Sequence, residues 1–403
     1  MTSRPPLLLL AALAIAALSA CAPAPGAAPS APASADPASD DGHGAIAGAE
    51  EVAEPPLGLL SIDTDGNAAV LDLLGDEAID LGATAAPTAL ASDGRYGFVT
   101  TDEGVEVIDS GRWSWDHGDH FHYYLAEPAL LGTMPGDGPA TVTSGALSTA
   151  GTTGVFFAGS GEAVLLDNKA LSDGQIDELF RIETGADAGL VAPVGDGALV
   201  TDGDDLVYHD RDGEAVGPPV ECVDPAGAIT TRVGLVVGCV DGAVLATWQD
   251  GELATERIPY PAGAVDRALT FDGRKGRPTV AAVAGTTGFW LLDTRERTWT
   301  LVPTERPLTR VVAVDDAEGH VVAIDVDGRI AVHLAESGAV VGAAEPLLAD
   351  GGTASSLTVD EQRAYVSDPA AGVVHEIDYA DGARIARSLE TPTAPAFVTE
   401  VGR

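Results

Sequence analysis

Short apolar runs alternate with turn residues from Leu57 to the end of the 403-residue chain. A glycine or a turn precedes each run, and an acidic residue closes it, a pattern typical of strands joined by tight turns. We predict strands of this kind at Asn67–Asp72, Gly104–Asp109, Gly161–Asp167, Gly203–Asp210, Gly242–Asp250, Gly288–Asp293, Gly328–Glu336 and Gly372–Asp378. Asp-Gly pairs recur between the runs and favour hairpins, because both residues tolerate a positive φ. The pattern predicts an all-β protein.

The closing acids recur with a regular spacing. Most intervals between successive acids are 40 to 43 residues long. A period of about 40–45 residues with four strands per unit is typical of β-propeller blades. A β-sandwich or two separate β domains would not keep one period over so much of the chain. We therefore predict a single β-propeller domain over residues 57–403, with eight blades, or seven because the first and last units are irregular.

The N-terminus has the features of an export signal. Arg4 precedes an apolar run, Leu7 to Leu18, that is too short to span a bilayer but typical of a signal peptide. The run ends in Leu-Ser-Ala-Cys21, which resembles a bacterial lipobox and implies cleavage after residue 20 and a lipid on Cys21. The alternative is an ordinary cleavage site with an incidental cysteine. Residues 21–56 are rich in Ala, Pro and Ser and are predicted to tether the propeller to the outer face of the cytoplasmic membrane.

The charge excludes several classes of partner. Sixty-two acidic side chains against 21 basic ones give a formal charge of −41. A nucleic-acid partner is excluded because phosphate binding needs a basic surface. Electrostatic docking on anionic lipid is disfavoured for the same reason, which leaves the lipid as the only membrane contact. We expect a soluble body that is a monomer.

Cys222 and Cys239 are the two remaining cysteines. They flank a segment that we interpret as two strands joined by a turn, so the thiols would face each other. In an exported protein this favours a structural disulfide over a metal site, since no histidine or third cysteine lies nearby in sequence.

One blade carries an insertion with a histidine cluster. Fifty-eight residues separate Asp109 from Asp167, about 15 more than the period requires. Three of the eight histidines, His117, His120 and His122, lie in this insertion, and alternation along a strand would place the last two on one face. Asp116 and Asp119 are candidate carboxylate ligands, or acceptors that fix the imidazoles.

Imidazole and carboxylate ligands suit Zn²⁺, although Cu²⁺ and Ni²⁺ would also be accepted. The alternative is a polar loop with solvated histidines. The other histidines in the propeller, His209, His320, His333 and His375, are scattered and are expected to be packed or surface residues.

These features together resemble the AztD-type zinc metallochaperones, exported β-propellers associated with zinc ABC importers. The residues that carry the resemblance are the leader, Ser110-Gly111-Arg112-Trp113, the run from Asp116 to His122 followed by Tyr123-Tyr124, and the two later cysteines. The resemblance implies a protein that is not an enzyme, binds Zn²⁺ through His117, His120 and His122, and passes it to the solute-binding protein of the importer.

The chain departs from the family pattern at two places. A His-His-Gly of the family corresponds here to Asp187-Ala188-Gly189, and a His-Gly corresponds to Ala226-Gly227. Both positions are expected to point toward the same central region as the histidine cluster, where Asp187 is a candidate oxygen ligand. The departures leave three possibilities: a weaker site, a site confined to the insertion, or a paralogue that has lost metal.

Two other classes of function remain open. One is a metal-free interaction propeller at the cell surface, and the other is a propeller lactonase or hydrolase. No motif in the sequence places a base beside a nucleophile, which disfavours the enzyme.

Overall fold

Eight antiparallel sheets form a β-propeller in the part of the chain that this computed structural model describes, residues 44–75, 77–116, 120–264 and 266–403. The predicted signal peptide, the lipid site at Cys21 and most of the predicted tether lie outside the described residues. The chain supplies the blades in order, and the strands of every blade except blade 1 follow one another in sequence from the channel outward.

The first half of the described chain contains an N-terminal strand, four blades, one inserted hairpin and one helical turn. The bounds are β1 (Glu50–Val52); blade 1, β2 (Gly58–Ile62), β3 (Asn67–Asp72) and β4 (Ala78–Ala83); blade 2, β5 (Ala89–Ser92), β6 (Tyr96–Thr101), β7 (Gly104–Asp109) and, after the hairpin strands β8 (Arg112–Asp116) and β9 (Phe121–Leu125), β10 (Ala129–Pro135); blade 3, β11 (Ala140–Ser144), β12 (Thr152–Phe157), β13 (Glu162–Asp167), helix α1 (Asn168–Ser172) and β14 (Glu178–Glu183); blade 4, β15 (Val191–Val194), β16 (Gly197–Asp202), β17 (Asp205–His209) and β18 (Val220–Glu221).

The second half contains the other four blades, one 3₁₀ turn and the closing strand. The bounds are blade 5, β19 (Ala228–Thr230), β20 (Leu235–Cys239), β21 (Gly242–Gln249) and β22 (Glu252–Pro259); blade 6, β23 (Thr279–Ala284), β24 (Gly288–Asp293) and β25 (Thr298–Pro303); blade 7, β26 (Leu308–Ala313), β27 (His320–Asp325), β28 (Ile330–Leu334) and β29 (Val340–Ala343), followed by the 3₁₀ turn Ala349–Gly352; blade 8, β30 (Leu357–Val359), β31 (Ala364–Asp368), β32 (Val373–Asp378) and β33 (Arg384–Glu390); and β34 (Phe397–Val401).

The ring is closed by pairing its two ends. Strand β34 is the innermost strand of blade 1 and pairs antiparallel with β2, from Gly58 opposite Val401 to Ile62 opposite Phe397. Closure removes the free sheet edges that an open array of blades would expose. The apolar core lies between neighbouring blades: Phe98 of blade 2, for example, shares a buried cluster with Phe157 of blade 3.

The prediction of an eight-bladed, all-β propeller is confirmed. Each of the eight predicted strands overlaps the next-to-outermost strand of one blade, and in blades such as 2 and 6 that strand is buried along almost its whole length and gives a continuous apolar run. In the described residues, blade 6 has three strands. Its innermost position is taken by a segment that makes single bridges, Asp272 to Ala281 and Gly273 to Ala313.

The predicted disulfide is also confirmed. Cys222 and Cys239 are bonded, with their Cα atoms 5.1 Å apart and both side chains buried. The bridge does not join two strands of one hairpin, however, because β19 begins only at Ala228. It ties the link after blade 4 to the second strand of blade 5. None of the helices in the described residues has the length and apolar character needed to cross a bilayer.

Candidate metal site

The histidine insertion is a hairpin between the third and fourth strands of blade 2. In an antiparallel blade, the turns between strands one and two and between strands three and four lie at one end of the sheet. We call this end of the propeller the insertion face. The links between blades, and the turns between strands two and three, lie at the opposite face. The histidine hairpin, β8–β9, therefore rises from the insertion face.

Contacts to blade 1 and to the end of the described chain fix the base of the hairpin. Arg112 donates from Nη1 to Oδ2 of Asp72 at 2.7 Å and to the carbonyl of Pro56 at 3.0 Å. The hydroxyl of Ser114 donates to the carbonyl of Gly402 at 2.9 Å. Because these partners belong to blade 1 and its closing strand, the hairpin is held by the ring closure itself.

His120 and His122 converge at the end of this hairpin. Their Nε2 atoms lie 3.0 Å apart and their ring centroids 4.7 Å apart. Two imidazole nitrogens bound tetrahedrally to Zn²⁺ at 2.0–2.1 Å would be about 3.3 Å apart. The described residues therefore hold two nitrogens within a few tenths of an ångström of the spacing that one zinc ion requires.

Glu51 places a carboxylate against this pair. Its Oε1 lies 2.7 Å from Nδ1 of His122, and it belongs to β1, which pairs with β9 through Glu50–Leu125, Glu51–Tyr124 and Val52–Tyr123. When His122 is neutral and donates Nδ1–H to Glu51, its Nε2 is left as an acceptor for metal or for Nε2–H of His120. Glu51 was not among the predicted ligands, because the composition of residues 21–56 predicts a tether. A Glu-Glu-Val segment carries too weak a strand pattern to correct that assignment.

An aromatic column connects His122 to the core of blade 2. The imidazole stacks on Tyr124, with centroids 6.3 Å apart, and Tyr124 stacks on the fully buried Trp113 at 5.3 Å. The guanidinium of Arg95 lies 4.0 Å from the Trp113 centroid and makes two hydrogen bonds to Asp109. Burial acts to lower the pKa of Arg95, but the hydrogen bonds and charge of Asp109 outweigh it and raise that pKa. The His122 imidazole is therefore packed against buried side chains that hold its ring in place.

Asp116, one of the predicted carboxylate ligands, does not share a face with the two described imidazoles of the hairpin. In the β8–β9 register Asp116 lies opposite Phe121, whereas Trp115 lies opposite His122. Directly opposed residues share a face of the sheet, so Asp116 and the imidazoles lie on opposite faces of the hairpin. His117 and Asp119 lie outside the described residues, and their roles as ligands, like that of Asp116, stay predictions.

Asp187 does not lie near the hairpin. It is an exposed residue of the loop between β14 and β15, which links two blades and therefore lies at the opposite face. The expectation that it points toward the same region as the histidines is not met, because an inter-blade link and an insertion after the third strand emerge at opposite ends of the sheet.

The central channel has a volume of about 1830 Å³, and its lining in the described residues contains neither histidine nor cysteine. Asp116, Phe121 and Tyr123 of the hairpin line it, together with Trp115 from the other face of β8. Eight of the 21 basic residues also line the channel. The acidic excess of the chain therefore lies largely outside it.

A second group of metal-type ligands lies in a turn of blade 7. One ligand atom from each of Asp316, Glu318 and His320 falls within 4.8 Å of the others. Asp316 accepts from the backbone N–H of His320 at 2.8 Å, and its other oxygen lies 2.6 Å from the imidazole Nδ1. Burial acts to raise the pKa of Asp316, but these hydrogen bonds outweigh it and hold the pKa below its usual value.

The same turn recurs elsewhere in the propeller without histidine. An aspartate accepts from the N–H four residues on, and its carbonyl accepts from a glycine of positive φ three residues on, in the turns Asp63–Asn67, Asp210–Glu214 and Asp325–Arg329. In the first of these the Asn67 side chain donates to Asp63 at 2.7 Å, as the imidazole does in blade 7. A capped hairpin turn therefore accounts for the group without a metal.

The remaining described histidines have structural partners. Nδ1 of His209 lies 2.9 Å from the carbonyl of Gly213, and Nδ1 of His333 lies 3.1 Å from that of Gly338. Nδ1 of His375 lies 3.0 Å from the Ser388 hydroxyl. These contacts agree with the expectation of packed strand residues.

Comparison with known proteins supports the architecture. No protein-family model and no curated protein matches the chain. Among solved structures, the crystal structure of Citrobacter koseri AztD has a TM-score of 0.73 at 19% identity, covering 86% of this chain and 97% of that one. The apo AztD structure from the same organism has a TM-score of 0.72 at 18% identity, covering 86% and 98%.

The fold is of the AztD type. A structure of the dihydro-heme d1 dehydrogenase NirN in complex with DHE is also similar, with a TM-score of 0.55 at 14% identity over 87% of this chain and 76% of that one. At these identities the likeness concerns the fold. What the site binds has to be argued from its own residues.

Proposed function

We propose that the protein is a zinc-binding metallochaperone that passes Zn²⁺ to the solute-binding protein of a zinc ABC importer. The observation that carries the proposal is the convergence of the His120 and His122 Nε2 atoms at 3.0 Å. The AztD-type fold supports it at the level of architecture. In this proposal the protein is not an enzyme, and zinc is its cargo.

The hairpin suits a transfer site better than a permanent one. Structural zinc sites have four protein ligands in a closed cage, whereas two imidazoles leave coordination positions for other ligands. A recipient's ligands can then enter one at a time before the donor's leave. His120 lies at the exposed end of the hairpin, where the ligands of an acceptor can reach the imidazole pair.

Export and lipid anchoring through Cys21 are part of the proposal. The disulfide between Cys222 and Cys239 supports an oxidising compartment. In this arrangement the tether would keep the hairpin near the membrane face where an importer takes up its cargo.

A transfer assay tests the proposal. Zinc-loaded protein is mixed with the apo solute-binding protein of a zinc ABC importer, in the presence of a chelator in excess that captures any zinc released to solution. Direct handover predicts that the acceptor gains zinc at a rate that rises with acceptor concentration. The His120→Ala/His122→Ala variant should lose this transfer, and His209→Ala, which removes an imidazole in blade 4, should keep it. Capture of all the zinc by the chelator would refute the proposal.

A further inference from the structure

We propose that residues 44–52, which we call the clasp, set the zinc affinity of the histidine hairpin, and that Glu51 is a positioning residue for His122. The inference rests on the proposed function, because it concerns the control of the same site. It assigns a role to a segment whose composition predicts only a tether.

The first contact of the clasp is with a candidate ligand. The Glu51 carboxylate lies 2.7 Å from Nδ1 of His122, whose side chain is 16% exposed, whereas that of Glu51 is 58% exposed. A carboxylate on the far nitrogen fixes the tautomer and the ring orientation of a metal-bound imidazole and raises its basicity, and removing such a partner typically weakens metal binding about 10–100-fold. Glu51 is placed to do this without touching the metal.

The second contact is at the start of the clasp. The indole Nε1 of Trp113 donates to the carbonyl of Gly44 at 3.0 Å. Gly44 has a φ of +74° and lies under the ring of Trp115, where an added Cβ would come within 2.6 Å of Cδ2. Only glycine fits this position. The clasp is therefore matched to the two tryptophans of β8, one of which lies opposite His122.

The clasp is nevertheless attached through a short edge strand that can detach. Its strand β1 is three residues long, pairs with β9 alone, and has two exposed residues of three. Such a short edge strand opens at a small cost compared with the blades behind it. If docking of the clasp strengthens zinc binding, zinc must strengthen docking by the same factor. Detachment of β1 then lowers the affinity and provides a route for release to an acceptor.

Matched substitutions on β1 test the role of Glu51. Zinc affinity is measured at constant pH by competition with a chelator of known affinity. Glu51→Ala should weaken binding about 10–100-fold, whereas Glu50→Ala, with the same charge change on the same strand, should leave it unchanged. Glu51→Gln keeps an acceptor oxygen and should recover most of the loss. ¹⁵N NMR of the imidazoles should show the Nδ1–H form of His122 in the wild type and its loss in Glu51→Ala.

Matched glycine substitutions test the clasp away from any ligand. Gly44→Ala should dislodge the segment from Trp115 and weaken zinc binding, although no ligand is altered. Gly48→Ala is the control, because Gly48 also has a positive φ, +90°, but an added Cβ would meet nothing within 4 Å. Proteolysis of the clasp should be faster in Gly44→Ala than in the control, and slower in the wild type with zinc than without it.

The outcomes separate this inference from the proposed function. Unchanged zinc affinity in His120→Ala/His122→Ala would refute the proposed function. Loss of affinity in that variant, together with wild-type affinity in Glu51→Ala and Gly44→Ala, would overturn the clasp alone. An equal loss in Glu50→Ala and Glu51→Ala would also overturn it, because the effect would then be one of general charge.

Discussion

Replacing Glu400 by glutamine tests how the ring closure tolerates a buried acid. Glu400 lies on the closing strand β34, is fully buried, and neither of its oxygens accepts a hydrogen bond of good geometry from the described residues. Nη1 of Arg403 lies 3.1 Å from Oε2. Burial raises the pKa of Glu400 to about 8, with Asp360 adding to the rise and Arg403 and Lys275 opposing it.

The sign of the effect follows from this pKa. It is raised in the folded state from an ordinary value of 4.5, so the protonated form is the one that the fold favours. The associated stability is fully present below the unfolded pKa and is lost as the pH rises through the folded one. Each pKa unit corresponds to about 1.4 kcal/mol, so the contribution of Glu400 to the pH dependence of the free energy of unfolding is at most roughly 5 kcal/mol. Since the neighbouring channel admits water, we expect Glu400→Gln to gain on the order of 2 kcal/mol over the wild type near pH 8.5.

Chemical denaturation of both proteins at about pH 5.5 and about pH 8.5 measures the gain. Glutamine should stabilise the protein much less at the lower pH than at the higher one, because the wild type loses stability steadily as the pH rises from the unfolded pKa to the folded one. The exposed Glu390→Gln on β33 is the control and should show no such difference. If the stability difference between Glu400→Gln and the wild type is the same at both pH values, Glu400 does not have a raised pKa in the folded protein.

Three further results are expected. Replacing Cys222 and Cys239 together by serine should cost about 3 kcal/mol, by the loop entropy of their 17-residue separation, and equal denaturation midpoints with the wild type would contradict this. His320→Asn replaces the imidazole by the side chain that caps the equivalent turn at Asn67, so zinc stoichiometry and affinity should stay unchanged in a titration. Loss of one equivalent of zinc would show that the turn in blade 7 is a metal site. Zinc affinity should fall between about pH 7.5 and about pH 5.5, because imidazole must lose its proton to bind metal, and a flat profile would indicate an all-carboxylate site.

The fold was largely predictable because it repeats. The third strands of the blades, such as β7 and β24, carry their pattern locally, and eight copies of it identify the propeller. Ring closure by β34 was not predictable, since its partner β2 lies more than 300 residues away and no local signal specifies that pairing. The sequence pattern also did not predict that the innermost segment of blade 6 would make only single bridges in the described residues.

The site was predictable only in part. The alternation predicted for the insertion is consistent with the structure, in which the Nε2 atoms of His120, just before β9, and His122 lie 3.0 Å apart. In the hairpin register Asp116 lies opposite Phe121 and therefore on the other face from His122. This register depends on the length of the turn between β8 and β9, which the alternation of residues does not specify. Glu51 was missed because its position follows from a strand that forms only against the finished hairpin. Asp187 was expected near the imidazoles on a correspondence of motifs, and the topology of the blades places it at the other face.

Joint binding of zinc by the imidazoles of His120 and His122 is tested by a competitive titration of the full chain with a chelator of known affinity. The His120→Ala/His122→Ala variant is measured beside the wild type. We expect one zinc ion bound by the wild type and an affinity lowered by more than about 100-fold in the variant. Equal affinities in the two proteins would contradict it.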